Sequence, residues 1–277
     1  MRKILFSSFC TIFINQILAQ GFSIGFAGGY GAGVLTQTSG KSGENTTINY
    51  ATLSSAKPYK VSLGKGADFQ IEFSNSFKNG FEFGLATSYH TGIPFSYSLS
   101  TDNTTHSSGN SSTYNSKESF SYKKIHQLQF MPFVKTSLGV ITKPYLKFGF
   151  VLGCLGEIEL DYKRTEIYSS TNNQPPPNNV SSYNTFSSES TTKYKGGTSA
   201  GFIGALGVER KLIGSSFFTA ECSFVAMQWA PNKEKQSNSQ SYDSIDEANK
   251  SNWSYSSFRI QAGLRYIFGK KNVSKQE

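Results

Sequence analysis

The feature that most constrains this chain is a period-two alternation of apolar and polar residues, which recurs in eight segments. Such alternation, bounded by turn residues, is typical of β-strands with one buried face. Short turns alternate with long stretches rich in Ser, Asn, Thr and Gly. This layout predicts an all-β fold: an eight-stranded antiparallel up-and-down barrel with three short turns and four long loops. The segments are 21–34, 59–77, 80–98, 119–137, 144–166, 192–211, 216–231 and 252–269; the long loops are 35–58, 99–118, 167–191 and 232–251.

Composition agrees with a β fold. Of 277 residues, 37% are hydrophobic and 16% are charged, with 26 Gly, 23 Phe and 15 Tyr. A typical soluble domain is about 25% charged and about 45–50% apolar. The residues in surplus favour strands and turns over helices, which argues against a helical bundle or a Rossmann-type enzyme. The formal charge is +9, but Lys and Arg are dispersed and form no stripe, so no nucleic-acid partner is expected.

The amino terminus is predicted to be a cleaved signal peptide. Arg2 and Lys3 precede a mostly apolar run from Ile4 to Leu18, and Ala19 offers a small residue for cleavage. The run is shorter than the ~20 residues that a membrane-spanning helix needs. The predicted organisation is a signal peptide at 1–19, a β-barrel domain at 20–269 and a C-terminal tail at 270–277.

The alternation favours a transmembrane β-barrel, whose apolar face points outward into lipid. In the last segment Phe258, Ile260 and Leu264 share one face, and Arg259 and Arg265 lie on the other. The opposite face repeats Gly and Ala and carries both signs of charge, as expected for a narrow, packed polar interior. A soluble barrel with its apolar face inside is the alternative. The misfits to the alternation are Lys65, for which a bulge in segment 59–77 is expected, and Met131, Phe133, Val151 and Leu155 on the interior face.

Charged residues of the interior face are predicted to form a polar plug near the tight turns. Eight strands leave an interior that side chains largely fill, and buried charges need partners. A proton or ion path is the alternative reading. The expected pairs are Glu82 with Lys135, Lys147 with Glu209, and Glu221 with Arg265. The predicted plug residues are Glu72, Glu82, Lys135, Lys147, Glu209, Glu221 and Arg265.

Aromatic residues are expected to mark two rims of the barrel, as at the two interfaces of a membrane. The predicted rims are Tyr30, Tyr59, Tyr89, Tyr122, Tyr162 and Tyr194 at the long-loop end, and Phe22, Phe77, Phe81, Tyr145, Phe218 and Phe268 at the tight-turn end.

Candidates for chemistry are few. His90 shares the interior face with Ser88, but a catalytic Ser–His pair needs an orienting carboxylate, for which there is no local evidence. His126 lies on the outward face. Scattered histidines and cysteines give no metal-ligand spacing. We therefore expect no catalytic residue, no metal and no cofactor.

The end of the last segment resembles a known family. Residues 261–268, with Gln261, Gly263, Tyr266 and Phe268, resemble the polar-x-Gly-x-x-aromatic-x-aromatic assembly signal of outer-membrane β-barrel proteins. Leu63-Gly64-Lys65-Gly66, Lys78-Asn79-Gly80 and Lys143-Pro144-Tyr145 are similar to small barrels of Bacteroidetes-type bacteria. The resemblance implies a Gram-negative outer membrane, outer-membrane lipid around the barrel, and insertion from the periplasm by the barrel-insertion machinery. The chain departs from the family in having a tail after Phe268. The resemblance implies no activity.

The expected function is a structural or cell-surface binding role without catalysis, with a possible extracellular ligand at the long loops. Three alternatives stay open: an accessory component of a protein secretion system, an outer-membrane lipid-modifying enzyme, and a soluble lipid-carrying barrel.

Overall fold

The computed structural model describes residues 21–34, 37–48, 51–77, 80–107, 110–172, 180–237, 241–245 and 252–268. The predicted signal peptide at 1–19 and the predicted tail at 270–277 lie outside these residues. The described residues form one sheet of fifteen strands. The strands are β1 (Phe22–Gly33), β2 (Gln37–Ile48), β3 (Ala51–Val61), β4 (Gly66–Ser76), β5 (Phe81–Gly92), β6 (Phe95–Ser107), β7 (Asn110–Ser137), β8 (Thr142–Asn172), β9 (Val180–Lys195), β10 (Ser199–Lys211), β11 (Ser216–Trp229), β12 (Lys233–Gln236), β13 (Asp243–Ser244), β14 (Trp253–Ser254) and β15 (Ser257–Ile267).

Eight of these strands close into a ring. Their order is β1, β4, β5, β7, β8, β10, β11 and β15, and every neighbouring pair is antiparallel. The ring closes where β15 pairs with β1, with Ala27 opposite Gly263. Closure leaves the ring without a free strand edge. The structure thus confirms the predicted all-β, antiparallel arrangement with a ring of eight strands.

Tight turns join three pairs of ring strands at one end of the ring. They follow β4, β7 and β10, as the sequence predicts. Each contains a glycine with a positive φ, namely 76° at Gly80, 93° at Gly139 and 60° at Gly214. Glycine adopts this backbone region without the steric cost that a Cβ atom brings. All three turns lie at the same end of the ring, because the antiparallel strands β4, β7 and β10 end there.

The connections at the other end are not the loops that the sequence predicts. Strands β2, β3, β6, β9, β12 and β13 pair with one another and with the far ends of β7 and β8. We call these six strands, with residues 110–123 and 159–172, the extension. Polar composition obscured it, because a ladder of backbone hydrogen bonds does not require apolar side chains. Cross-strand hydroxyl pairs line one face of it, such as Ser98 with Ser119 at 3.0 Å.

Three predicted segments each divide into a ring strand and an extension strand. Segment 59–77 breaks at a turn over Leu63 and Gly64, so the misfit at Lys65 is explained by a connection and not by the expected bulge. Segment 80–98 breaks before Phe95, and segment 192–211 breaks at two glycines with φ of 75°. At each break the chain turns into a new strand, but the period-two pattern of apolar residues continues nearly unchanged. The pattern therefore does not reveal the turn.

Two irregularities reverse the inward and outward faces where β7 and β8 enter the extension. Lys124 and Leu155 have positive φ values of 50° and 51°, and the β7–β8 register shifts beside Lys123. Beyond this point the even-numbered residues point inward. Ile158 has the same parity as the outward Phe150 and Leu152 but is fully buried. Leu155, predicted to face inward, is 69% exposed.

The same reversal corrects part of the predicted aromatic rims. Tyr30 and Tyr89 are exposed outside the ring, but Tyr122 is buried and Tyr194 packs against the core. At the tight-turn end Tyr145 also points inward, because it shares the face of Lys147. Phe81, Phe218 and Phe268 stay exposed, Phe22, Phe77 and Tyr162 are half-buried, and the side chain of Tyr59 lies outside the described residues.

The part of the hydrophobic core that lies at the junction of ring and extension is rich in aromatic side chains. Trp229 and Trp253 pack at 5.5 Å between ring centroids, and Tyr255 meets Trp229 edge-on at 5.9 Å. Tyr122 and Tyr194 each contact Trp253 edge-on. We call these five residues the aromatic cap. Four of them are buried and Tyr194 packs against them, so the cap fills the end of the ring from which the extension rises.

Candidate functional site

The ring interior near the tight turns holds a compact group of charged side chains. The structure brings together all seven predicted plug residues, Glu72, Glu82, Lys135, Lys147, Glu209, Glu221 and Arg265, which we call the charge cluster. Lys135 and Lys147 are each 2% exposed, and Glu209 is 1% exposed. The alternation places them there, because each sits on the inward face of its strand. The cavity among them is about 30 Å³, which is room for about one water molecule.

Ion pairs inside the charge cluster cross the ring as well as joining neighbours. Lys135 Nζ lies 3.0 Å from Glu82 Oε2 and 2.7 Å from Glu209 Oε1. Arg265 places one terminal nitrogen 2.6 Å from Glu82 and the other 2.6 Å from Glu209. One guanidinium therefore bridges carboxylates from β5 and β10.

The pairing differs from the expected one in two of three cases. Glu82 pairs with Lys135, its register partner on the neighbouring strand. Lys147 instead contacts Glu221 at 2.5 Å and Glu72 at 3.4 Å. The expected pair with Glu209 is replaced because strand stagger sets Glu209 opposite Lys143. Likewise Arg265 contacts Glu82 and Glu209 in place of Glu221, to which the Tyr145 hydroxyl donates at 2.9 Å.

A second polar group lies deeper in the ring, and sequence reasoning missed its central residue. Asp68 Oδ1 lies 3.2 Å from His90 Nδ1 and 3.1 Å from Arg259 Nη1. Asp68 sits opposite His90 in the β4–β5 register. The available signal was parity, because Asp68, Gln70 and Glu72 alternate on one face of a strand.

This group does not form a catalytic triad. Asp68 supplies the carboxylate that the sequence did not reveal beside Ser88 and His90. However, the Ser88 hydroxyl donates to Asp68 at 3.5 Å, and His90 Nε2 faces the carbonyl oxygen of Leu63 at 3.1 Å. Both ring nitrogens of His90 are thus engaged away from the serine, so the serine has no base. The arrangement is that of a structural hydrogen-bond network.

The other candidate catalytic and metal-binding residues also show no arrangement suited to chemistry within the described part of the chain. His126 faces outward, lies 3.0 Å from the Thr91 hydroxyl and stacks on Tyr89. Among the described residues, no group of three His, Cys, Asp or Glu side chains is arranged to hold a metal ion. Within the same part of the chain, no helix is long and apolar enough to cross a membrane.

The predicted assembly signal occupies the strand that closes the ring. Gln261 points inward, and Tyr266 and Phe268 are 46% and 45% exposed on the outer face. Their rings contact each other at 4.7 Å. Gly263 permits a close approach of β1, since a Cβ at this position would lie 2.2 Å from the carbonyl oxygen of Phe26.

The outer surface of the ring is apolar all the way round. Every ring strand contributes exposed large hydrophobic side chains, whereas the interior beneath them is polar. We call these outward residues the apolar belt. They are Phe26, Tyr30, Phe69, Ile71, Phe73, Phe81, Phe83, Leu85, Tyr89, Phe130, Val134, Leu146, Phe148, Phe150, Leu152, Phe202, Leu206, Phe218, Phe224, Phe258, Ile260, Leu264 and Tyr266.

The extension presents a different surface, built from hydroxyl side chains and ion pairs. Lys123 pairs with Asp161 at 2.5 Å, and Lys163 pairs with Glu189 on the next strand. On the opposite face the Tyr114 hydroxyl donates to Glu166 at 2.7 Å. This hydrogen bond lowers the pKa of the Glu166 carboxyl. Glu166 is therefore held as a carboxylate that orients the Tyr114 ring.

Comparison with known proteins places the chain in no family. No family model matches it, and no curated protein matches it. Solved structures that match include Ail, the attachment invasion locus protein of Yersinia pestis, in complex with the heparin analogue sucrose octasulfate. The identity is 10% and the TM-score 0.31, covering 90% of this chain and 97% of that chain. Neisserial surface protein A matches at 9% identity with a TM-score of 0.31, covering 90% of this chain and 97% of that chain.

These similarities are too low to carry an argument about fold or function. The ring is defined by the pairing of its own strands.

Proposed function

We propose that the ring is a transmembrane β-barrel of a bacterial outer membrane with a structural or cell-surface binding role and no catalysis. The chain is exported through a signal peptide cleaved after Ala19. The barrel-insertion machinery then inserts it, reading Gln261, Gly263, Tyr266 and Phe268. The tight turns face the periplasm and the extension faces the outside of the cell, as short turns and long connections do in such barrels.

The observation that carries this proposal is the apolar belt around a polar interior. Soluble monomers rarely expose apolar patches larger than a few hundred Å². Here exposed Phe, Leu and Ile side chains encircle the ring, with Phe202 and Leu206 each 64% exposed. The interior instead holds charged and amide side chains. An apolar outer face around a polar interior is the arrangement expected when lipid surrounds the barrel.

The packed interior argues against two alternatives. A soluble lipid-carrying barrel needs an apolar cavity of several hundred Å³ inside, and the space within the charge cluster is about 30 Å³. A lipid-modifying enzyme needs a nucleophile and a base within hydrogen-bond reach, and Ser88 donates to Asp68 and not to His90.

One observation favours an accessory role in secretion as a second candidate function. Two tight turns expose aliphatic residues on the side proposed to face the periplasm, namely Leu138, Val140 and Ile141 in one and Leu212 and Ile213 in the other. Exposed apolar turns are suited to docking a partner. If the protein has this role, we expect exported proteins to accumulate in the periplasm of cells from which the gene has been deleted.

Cysteine accessibility tests the membrane assignment. Cys222 faces outward between Leu206 and Ile260. In a Cys154→Ala background it is the single cysteine of the mature chain. We expect a membrane-impermeant maleimide to leave it unmodified in outer-membrane vesicles, because lipid covers it, and to modify it after denaturation in hot SDS. Mass spectrometry of the intact protein measures the modification.

A matched position serves as the control. Tyr183 is 66% exposed on the extension, so Tyr183→Cys in a chain lacking Cys154 and Cys222 should react on intact cells. If Cys222 in vesicles reacts as fast as this control, the belt faces water and the membrane assignment is wrong.

A further inference from the structure

A shallow cavity opens on the extension, at the end farthest from the ring. Four neighbouring strands, β6 to β9, contribute to it, and its volume is about 210 Å³. Residues lining it are Asn103, Thr105, Ser112, Tyr114, Tyr168 and Ser170. These side chains share one face of the sheet, because Asn103 pairs with Tyr114 and Tyr114 pairs with Tyr168 across the strands.

The rings of Tyr114 and Tyr168 form one wall of this cavity, and Phe186 stands beside that wall. Tyr114 and Tyr168 pack at 4.7 Å with an interplanar angle of 41°. Phe186 stands edge-on to Tyr168 at 6.0 Å. Phe186 is 58% exposed and Tyr168 is 42% exposed, although neither belongs to the apolar belt. Exposed aromatic rings on a largely polar surface indicate a binding role, because their apolar faces are left in contact with water until a ligand covers them.

Hydrogen bonds to Glu166 and Arg164 hold Tyr114 of the aromatic wall in place. The Tyr114 hydroxyl donates to Glu166 and accepts a hydrogen bond from Arg164 Nη2 at 3.3 Å. Arg164 and Glu166 are themselves an ion pair. The ring of Tyr114 is therefore fixed before any ligand arrives, which reduces the entropy lost on binding.

The cavity is neutral in a strongly basic protein. No charged side chain of the described residues lines it, and stretch 167–188 contains no Lys, Arg, Asp or Glu. Hydroxyl and amide groups supply donors and acceptors without net charge. The nearest cation, Arg164, lies beneath Tyr114 and is already paired with Glu166. An anionic ligand would therefore find no unpaired cation in the lining, and a hydrocarbon chain would leave the hydroxyl groups without partners.

We propose that this cavity binds a neutral carbohydrate, with the C–H face of a pyranose ring stacked on Tyr168 and the edge of the sugar in contact with Phe186. Asn103, Ser112 and Ser170 exchange hydrogen bonds with the sugar hydroxyls. Aromatic surface combined with a few convergent polar groups is the usual chemistry of small-molecule sites. The proposal rests on the proposed function, because it needs the extension to lie outside the membrane.

The test measures binding of neutral hexasaccharides of glucose, mannose and N-acetylglucosamine to the full-length chain by saturation-transfer NMR. The protein is kept in a detergent without a sugar headgroup, so that the detergent does not occupy the cavity. We expect at least one neutral hexasaccharide to bind. Tyr168→Ala and Phe186→Ala should each weaken that binding about tenfold, as loss of an aromatic anchor does, whereas Tyr168→Phe should keep it.

Tyr183→Ala is the matched control. Tyr183 is also an exposed aromatic of β9, but it alternates to the opposite face of the sheet from Phe186. Its removal should leave binding unchanged. A heparin hexasaccharide, which is anionic, should not bind.

Three results would overturn the proposal: no binding of any neutral hexasaccharide, equal weakening by Tyr183→Ala, or binding of the anionic sugar alone. Every sample is first checked for the SDS-resistant folded form on a gel. Failure of sugar binding by a chain that passes this check refutes the carbohydrate site alone, whereas failure of the check itself refutes the proposed barrel.

Discussion

Arg265→Met is expected to lower the free energy of unfolding by about 3–5 kcal/mol, the usual loss when a buried ion pair loses one partner. Arg265 is 3% exposed and contacts Glu82 and Glu209 at 2.6 Å each. Methionine is of similar length but uncharged, so the excess of carboxylates over cations in the charge cluster rises from one to two. Urea unfolding followed by the fluorescence of buried Trp229 and Trp253 measures the loss.

A surface arginine provides the matched control. Arg210 is exposed next to a tight turn of the same ring, so Arg210→Met should change stability by no more than about 0.5 kcal/mol. Adding Glu82→Gln and Glu209→Gln to Arg265→Met should recover part of the loss, because the charge cluster then holds two carboxylates and two lysines. If Arg265→Met unfolds at the same urea concentration as Arg210→Met, the charge cluster does not stabilise the ring.

Phe150→Arg is expected to cost about 2–4 kcal/mol, as an arginine on the lipid face near the bilayer centre does. Phe150 is 60% exposed, lies among the outward residues of β8 and packs on Phe202 at 5.3 Å. In a soluble protein the same exposed position would accept arginine with little penalty. Folding into lipid vesicles, titrated with urea, measures the difference.

The comparison with the extension makes this prediction specific. Tyr183 is at least as exposed as Phe150, at 66%, but lies where we expect water. Tyr183→Arg should therefore leave the unfolding free energy within about 0.5 kcal/mol of the parent chain. Equal effects of the two substitutions would mean that the belt and the extension face the same solvent.

The sequence was sufficient to predict which way most ring side chains point. Alternation placed Arg265 inside and Leu264 outside, and the structure agrees. It was insufficient beyond Leu155, because a single residue with positive φ reverses every later side chain of the strand. No residue type at Lys124 or Leu155 signals this reversal.

The extension and the second polar group were hidden for different reasons. A strand in solvent needs no apolar face, so the Ser- and Thr-rich stretches carried no period-two signal even though their backbones pair. Asp68 was hidden because its partner His90 is 22 residues away in sequence. Such contacts follow from the register between strands, which alternation within one strand does not specify.

The most direct test of the central claim is the gel mobility of the outer-membrane fraction, with and without boiling in SDS. A closed transmembrane barrel resists unheated SDS, because its backbone hydrogen bonds are all satisfied within the ring. We predict that the mature chain is found in this fraction and runs at a shifted position until it is heated. A chain released in soluble form, with the same mobility before and after heating, would contradict the assignment of the apolar belt to lipid.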